Sequence, residues 1–127
     1  MNHKLPESKD DFASITVLQQ LEFVQITALI PDLLIWIQDG NWPIYQSIKE
    51  LLLPQQENLI EPLKEILNSN DSSWKYFLLN DFIPFLRTEV IQKLIEELSM
   101  LSNHPTFADQ SEEVDLLAQK ILESANK

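Results

Sequence analysis

Apolar residues recur at three- and four-residue intervals along most of the chain, and no stretch keeps the two-residue rhythm of a half-buried strand. Residues 1–11, with Pro6 and the Asp10-Asp11 pair, carry no such pattern and read as a flexible N-terminal arm, leaving 12–127 as a single all-helical domain. Ile15, Leu18 and Leu21, with Val17, outline a first short helix. Phe23, Ile26, Leu29 and Ile30 outline a second that runs up to Pro31. Pro31 suits the first turn of a third helix, where its missing N–H leaves no bond unmade. That helix carries Leu33, Leu34, Trp36 and Ile37 and stops near Asp39-Gly40, with Gly40 at C′.

Asn41-Trp42-Pro43 is a restart signal, with Asn41 or Trp42 as N-cap and Pro43 in the first turn. The helix it opens runs through Ile44, Ile48, Leu51 and Leu52 until Pro54 ends it. Leu59, Leu63, Ile66 and Leu67 define the next, which closes at Asn68-Ser69-Asn70. Asp71 or Ser72 caps a segment from Trp74 to Leu86 that is apolar on most sides and so belongs in the middle of the structure. Pro84 should kink or end it near Asp81 to Ile83. Thr88 caps a helix bearing Val90, Ile91, Leu94, Ile95, Leu98 and Leu101, which Asn103-His104-Pro105 stops. A short loop with Phe107 leads to Asp109 or Ser111 as the cap of a last helix, with Val114, Leu117, Ala118, Ile121 and Leu122 on its apolar stripe.

Shifting the chain by 32 residues sets Asp39 on Asp71 and Trp42 on Trp74, and matches apolar with apolar at Leu34/Ile66, Ile44/Tyr76, Tyr45/Phe77 and Leu53/Phe85. One joint occurs twice: a helix ends, a polar turn carries an Asp, and a Trp enters the following helix. Stacked helical hairpins repeat in this way, each unit burying a face it could not bury alone. The fold class expected is all-α, a right-handed HEAT/armadillo-like superhelix of about three hairpins and about seven short helices.

The run from Ile30 to Pro43, with Trp36-Ile37-Gln38-Asp39 and Asn41-Trp42-Pro43 at its centre, together with Leu52-Leu53-Pro54 and Ser72-Ser73-Trp74-Lys75-Tyr76, resembles a small bacterial family, domain of unknown function 5071. The resemblance spans about Leu5 to Glu123. It implies a fold, a short HEAT-like helical array, the family being functionally uncharacterised.

Composition narrows the chemistry. A single glycine excludes phosphate-cradling loops, dinucleotide fingerprints and nucleophile elbows, which need several residues with positive φ or a bare backbone. With no cysteine there is no disulfide, thiolate metal site or Cys nucleophile. A net charge of −11, spread along the chain, argues against nucleic acid or an anionic membrane as partner. The N-terminal residues lack the apolar run of a secretory signal, so a cytoplasmic location is expected.

His3 and His104 form no metal-binding spacing, and no cofactor is expected. Glu57, Glu61 and Glu65 fall at i, i+4 and i+8, an acidic stripe for a cation or a basic partner, or a solvated face with Lys64 beside it. The spacing from Asp39 to Glu50 has the length of a calcium loop, but Pro43 and Ile44 occupy positions that need a ligand and a glycine. The two joints are the candidate binding residues: Asp39, Asn41 and Trp42 in one, Asp71, Trp74 and Tyr76 in the other. They also serve as caps and packing wedges on a purely structural reading.

The expectation is therefore a non-enzymatic module that binds a protein or peptide, with a basic partner favoured by the charge. An acidic immunity-type protein that neutralises a basic toxin domain is the alternative. A carboxylate- and metal-dependent hydrolase built on Asp39, Asp71 and the Glu57/Glu61/Glu65 face is the second alternative.

Overall fold

Asp11 opens the first helix by accepting from the Ser14 amide at 3.1 Å, which satisfies one of the donors a helix start leaves bare. In the computed structural model, which describes residues 5–125, helix then follows helix and no described residue lies in a strand. The order is α1 Phe12–Leu18, α2 Phe23–Leu34, α3 Tyr45–Leu52, α4 Ile60–Leu67, α5 Ser72–Asp81, α6 Thr88–Gln92, α7 Ile95–Asn103, α8 Phe107–Ser111 and α9 Val114–Ala125. Tighter 3₁₀ segments at Ile35–Ile37, Leu53–Leu59 and Ile83–Phe85 extend α2, α3 and α5. The all-α class is as the periodicity predicts.

One continuous core holds these elements. Leu18, Leu33, Ile37, Ile44, Ile48, Leu52, Leu59, Leu63, Leu78, Phe82, Leu94, Leu98 and Val114 are all buried within it. Helix α9 lies along α7 and also packs on α5 and α6, closing the C-terminal half. Residues 5–11 lie against the domain: Pro6 is buried, the Leu5 carbonyl accepts from Ser14 Oγ at 3.4 Å, and the Lys9 carbonyl accepts from the Ile44 amide at 3.1 Å. Residues 1–4 of the expected arm lie outside the described residues.

Several helix boundaries differ from the sequence expectation, each for a visible reason. Pro31 does not open a third helix. It sits exposed inside α2, where the bond it cannot donate falls on the solvent side while Ile26, Ile30, Leu33 and Leu34 stay on one buried stripe. Helix α3 begins at Tyr45, so Pro43 belongs to the preceding turn, and neither Asn41 nor Trp42 is its N-cap. The helix expected from Thr88 to Leu101 breaks at Lys93-Leu94, which turns Val90, Ile91, Leu94 and Leu98 all into the core; its N-cap is Arg87. Asp109 and Ser111, expected to cap the last helix, lie inside an additional short helix, α8, which Thr106 opens in a reciprocal capping box with Asp109; the last helix, α9, follows from Val114.

Gly40 is the clearest correction. No glycine in the described chain has a positive φ; the left-handed positions are held by Gln56 at φ 39° and Glu113 at φ 60°. The need for glycine is one of space: a Cβ on Gly40 would stand 2.8 Å from both Cδ1 and Cε1 of Phe77. Gln56 tolerates its unfavourable backbone because its side chain is tied at both ends. Its Nε2 donates to the Leu53 carbonyl at 2.7 Å and its Oε1 accepts from the Arg87 amide at 3.1 Å.

Candidate functional site

The first joint folds as a tight turn. Asp39 Oδ1 accepts from the Asn41 amide at 2.8 Å, a side-chain mimic of a backbone turn, and the Trp42 amide donates to the Asp39 carbonyl at 3.1 Å. The Trp42 indole tilts against Trp36, with ring centroids 5.6 Å apart. Asn41 is exposed, and Asp39 and Trp42 are half-buried.

The second joint uses its Asp differently. Asp71 caps α5, accepting from the Trp74 amide at 3.0 Å. Trp74 is partly covered, and its indole Nε1–H is buried without a hydrogen-bond partner. Tyr76 meets Phe77 edge to face at 5.1 Å, and Phe77 in turn faces Tyr45 at 6.4 Å. Because Phe77 is also the side chain against Gly40, the Asp39–Trp42 turn rests on the helix that carries Trp74 and Tyr76. The fold thus places both joints, 32 residues apart, around one helix.

Glu57, Glu61 and Glu65 are all exposed, and two of them lie near cations. Glu57 belongs to the 3₁₀ segment beyond the Gln56 kink and pairs with Arg87 at 2.7 Å, whereas Glu61 in α4 lies 3.7 Å from Lys64. Among the described residues no three His, Asp or Glu side chains converge as metal ligands. His104 is the exposed C-cap of α7, its amide bonded to the Met100 carbonyl at 2.8 Å, and His3 lies outside the described residues.

Two polar clusters escaped the sequence reading. Lys75 is buried on α5, with its Nζ 2.8 Å from Asp109 Oδ1 and donating to the Ser69 carbonyl at 2.8 Å. Ser72 Oγ donates to the same Asp109 oxygen at 2.6 Å, and the Thr106 amide approaches Oδ2 at 3.4 Å. Burial opposes ionisation of Asp109, yet the Lys75 ammonium, the Ser72 hydroxyl and the Thr106 amide outweigh it and hold the carboxyl below its ordinary value. A lysine within the aromatic run Trp74–Phe77 was the available signal, since an unpaired charge does not persist in such a run.

The second cluster joins α3 to the end of α5. Lys49, also buried, reaches Asp81 at 3.4 Å and places its ammonium 3.7 Å above the Phe85 ring. Tyr45 lies one helical turn earlier. Burial first, and the charge of Asp81 second, push its phenol above the usual range, although no acceptor meets Tyr45 Oη in hydrogen-bond geometry. Lys49 and Asp81 are 32 residues apart, as are Gln55 and Phe23, whose side-chain amide and backbone carbonyl bond at 3.1 Å.

Among the described residues no helix is long and apolar enough to cross a membrane. No curated protein matches the chain. The family model described as Domain of unknown function (DUF5071) matches residues 4–122, nearly the whole chain, and so bears out the resemblance carried by the Trp-rich joints: the protein belongs to this family.

Proposed function

We propose that this chain is a cytoplasmic, non-enzymatic binding module, a HEAT-like array of helical hairpins that docks a basic protein or peptide. The observation that carries the reading is the seating of the Asp39–Trp42 turn on α5. It gathers two Trp joints, one exposed Asp and one exposed Asn onto the surroundings of a single helix. The array reading draws support from bonds that recur near the repeat interval, Lys49 to Asp81, Gln55 to Phe23 and Arg87 to Glu57.

Charge supplies the partner's chemistry. Twenty carboxylates face nine cationic side chains, and a surface of this sign steers basic partners while repelling acidic ones. The same charge favours a second reading, an acidic immunity-type protein that neutralises a basic toxin domain.

The test is capture by the immobilised full chain at low and high salt, with retained proteins identified by mass spectrometry. Basic proteins should be held at low salt and released as salt screens the contact. An Asp39→Asn/Asp71→Asn double variant keeps both turn acceptors while removing two charges, and Asn41→Lys adds an opposing one at an exposed position. Both should weaken capture with the fold intact. Unchanged capture removes the joints from the site, and retention of no basic protein at low salt overturns the binding reading itself.

A further inference from the structure

Away from the joints, the structure holds a half-open cleft of about 330 Å³ between the end of α5, α6 and the last turns of α9. Its origin is local. Helix α5 ends at Asp81 and Pro84 lies in the 3₁₀ turn that leads on to α6, while α9 packs on both helices. Where a larger side chain on α9 would fill the gap, the sequence has Ser124 and Ala125. The floor is apolar, formed by Leu79, Leu86, Ile91 and Ile121, each at most 8% exposed. An open apolar floor forfeits the packing that a Leu at position 124 or 125 would supply.

The rim is polar in a specific way. Asn80, Thr88, Lys120 and Ser124 line it, and none of these four side chains has a hydrogen-bond or ion-pair partner among the described residues. All four can donate; Asn80, Thr88 and Ser124 can also accept, while Lys120 only donates and is the one charged residue of the lining. With no carboxylate partner among the described residues, Lys120 sets one positive charge on the rim of a chain of net charge −11. An apolar floor bordered by donors and one ammonium complements a molecule with an aliphatic body and a terminal acceptor of negative charge.

We propose that this cleft binds a small aliphatic carboxylate, its chain over Leu79, Leu86, Ile91 and Ile121 and its carboxylate at Lys120. The site is independent of the joints on α5 and of any protein partner.

The test uses three eight-carbon probes of one shape and different head groups, octanoate, octanol and octylammonium, against the full-length protein. Methyl and amide NMR shifts are followed together with thermal melts. Octanoate should shift the resonances of Leu79, Ile91 and Ile121 and raise the melting temperature with a saturating dose dependence, octanol should do so more weakly, and octylammonium should not bind. Lys120→Gln should weaken octanoate by up to about fivefold, the upper range for an exposed ion pair, and leave octanol unchanged. Ser124→Phe, at an exposed position, should fill the cleft and abolish the octanoate shifts while the far-UV spectrum stays helical. Octylammonium binding as well as octanoate, octanoate shifts that cluster elsewhere, or octanoate binding that survives Ser124→Phe would each overturn the proposal. So would the absence of any octanoate response.

Discussion

Replacing Gly40 by alanine separates two physical reasons for a glycine at that position. If the backbone needed the left-handed region, asparagine would serve almost as well as glycine, because Asn is the common alternative there. The structure gives another reason: the φ is not positive, and the new Cβ would lie 2.8 Å from two atoms of the Phe77 ring. Phe77 cannot turn away freely, since Tyr76 meets it edge to face and Tyr45 flanks it. Forcing a methyl into a packed contact costs about 1–3 kcal/mol. Removing a glycine from the unfolded ensemble returns about 0.4–1 kcal/mol. The net expectation for Gly40→Ala is a loss of about 1–2 kcal/mol, or about 4–8 °C in Tm for a chain of this size.

Urea titrations give the number directly, and Gly40→Asn should fall at least as far as Gly40→Ala. In a double-mutant cycle, Phe77→Ala removes the ring that Cβ meets, so Gly40→Ala should be nearly neutral or stabilising in that background. A Gly40→Ala protein as stable as the parent, or an Asn variant clearly better than the Ala one, would refute the packing argument.

The buried pair between Lys75 and Asp109 should be costly to break from one side: Asp109→Ala is expected to lose about 3–5 kcal/mol, while a Lys75→Met/Asp109→Leu double variant loses much less than the two single changes together, as chemical denaturation would show. Because the Asp109 carboxyl lies below its ordinary value in the folded state, its contribution is fully present above the unfolded value of about 3.9 and is lost as pH falls through the lower folded one. Stability measured across that acid range should therefore fall more steeply in the parent than in Asp109→Asn, and parallel curves would contradict the assignment. Tyr45→Phe removes a buried hydroxyl that has no partner, so it should be neutral or stabilising by about 1 kcal/mol, and a clear loss in urea would show that Tyr45 Oη is satisfied after all.

Helix content and the cap at Asp71 were legible in the sequence because they depend on neighbours three or four residues away. Asp71 caps α5 as its position before an apolar run requires, and Pro84 ends that helix where its missing donor dictates. Boundaries without a local breaker were not legible. The turn at Lys93-Leu94 contains neither glycine nor proline and exists because the core takes Val90, Leu94 and Leu98 from two directions. Pro31 shows the converse, a breaker overruled because the buried stripe of α2 continues past it. At the candidate site, the 32-residue match in the sequence picked out both joints, yet the matched Asp residues make different bonds, one closing a turn and the other capping a helix.

By itself the sequence determined an all-α chain and a net charge of −11, since these follow from composition and short-range spacing. Only the tertiary structure decided what each special residue is for. Gly40 answers to Phe77, which lies 37 positions away in the chain, and Asp109 answers to Lys75 and Ser72 on another helix as well as to its own cap. The cleft beside Pro84 exists because α5, α6 and α9 come together there around small residues on α9. Close approach, charge pairing and empty space are properties of pairs and groups of residues brought together by folding, and no window along the chain contains them.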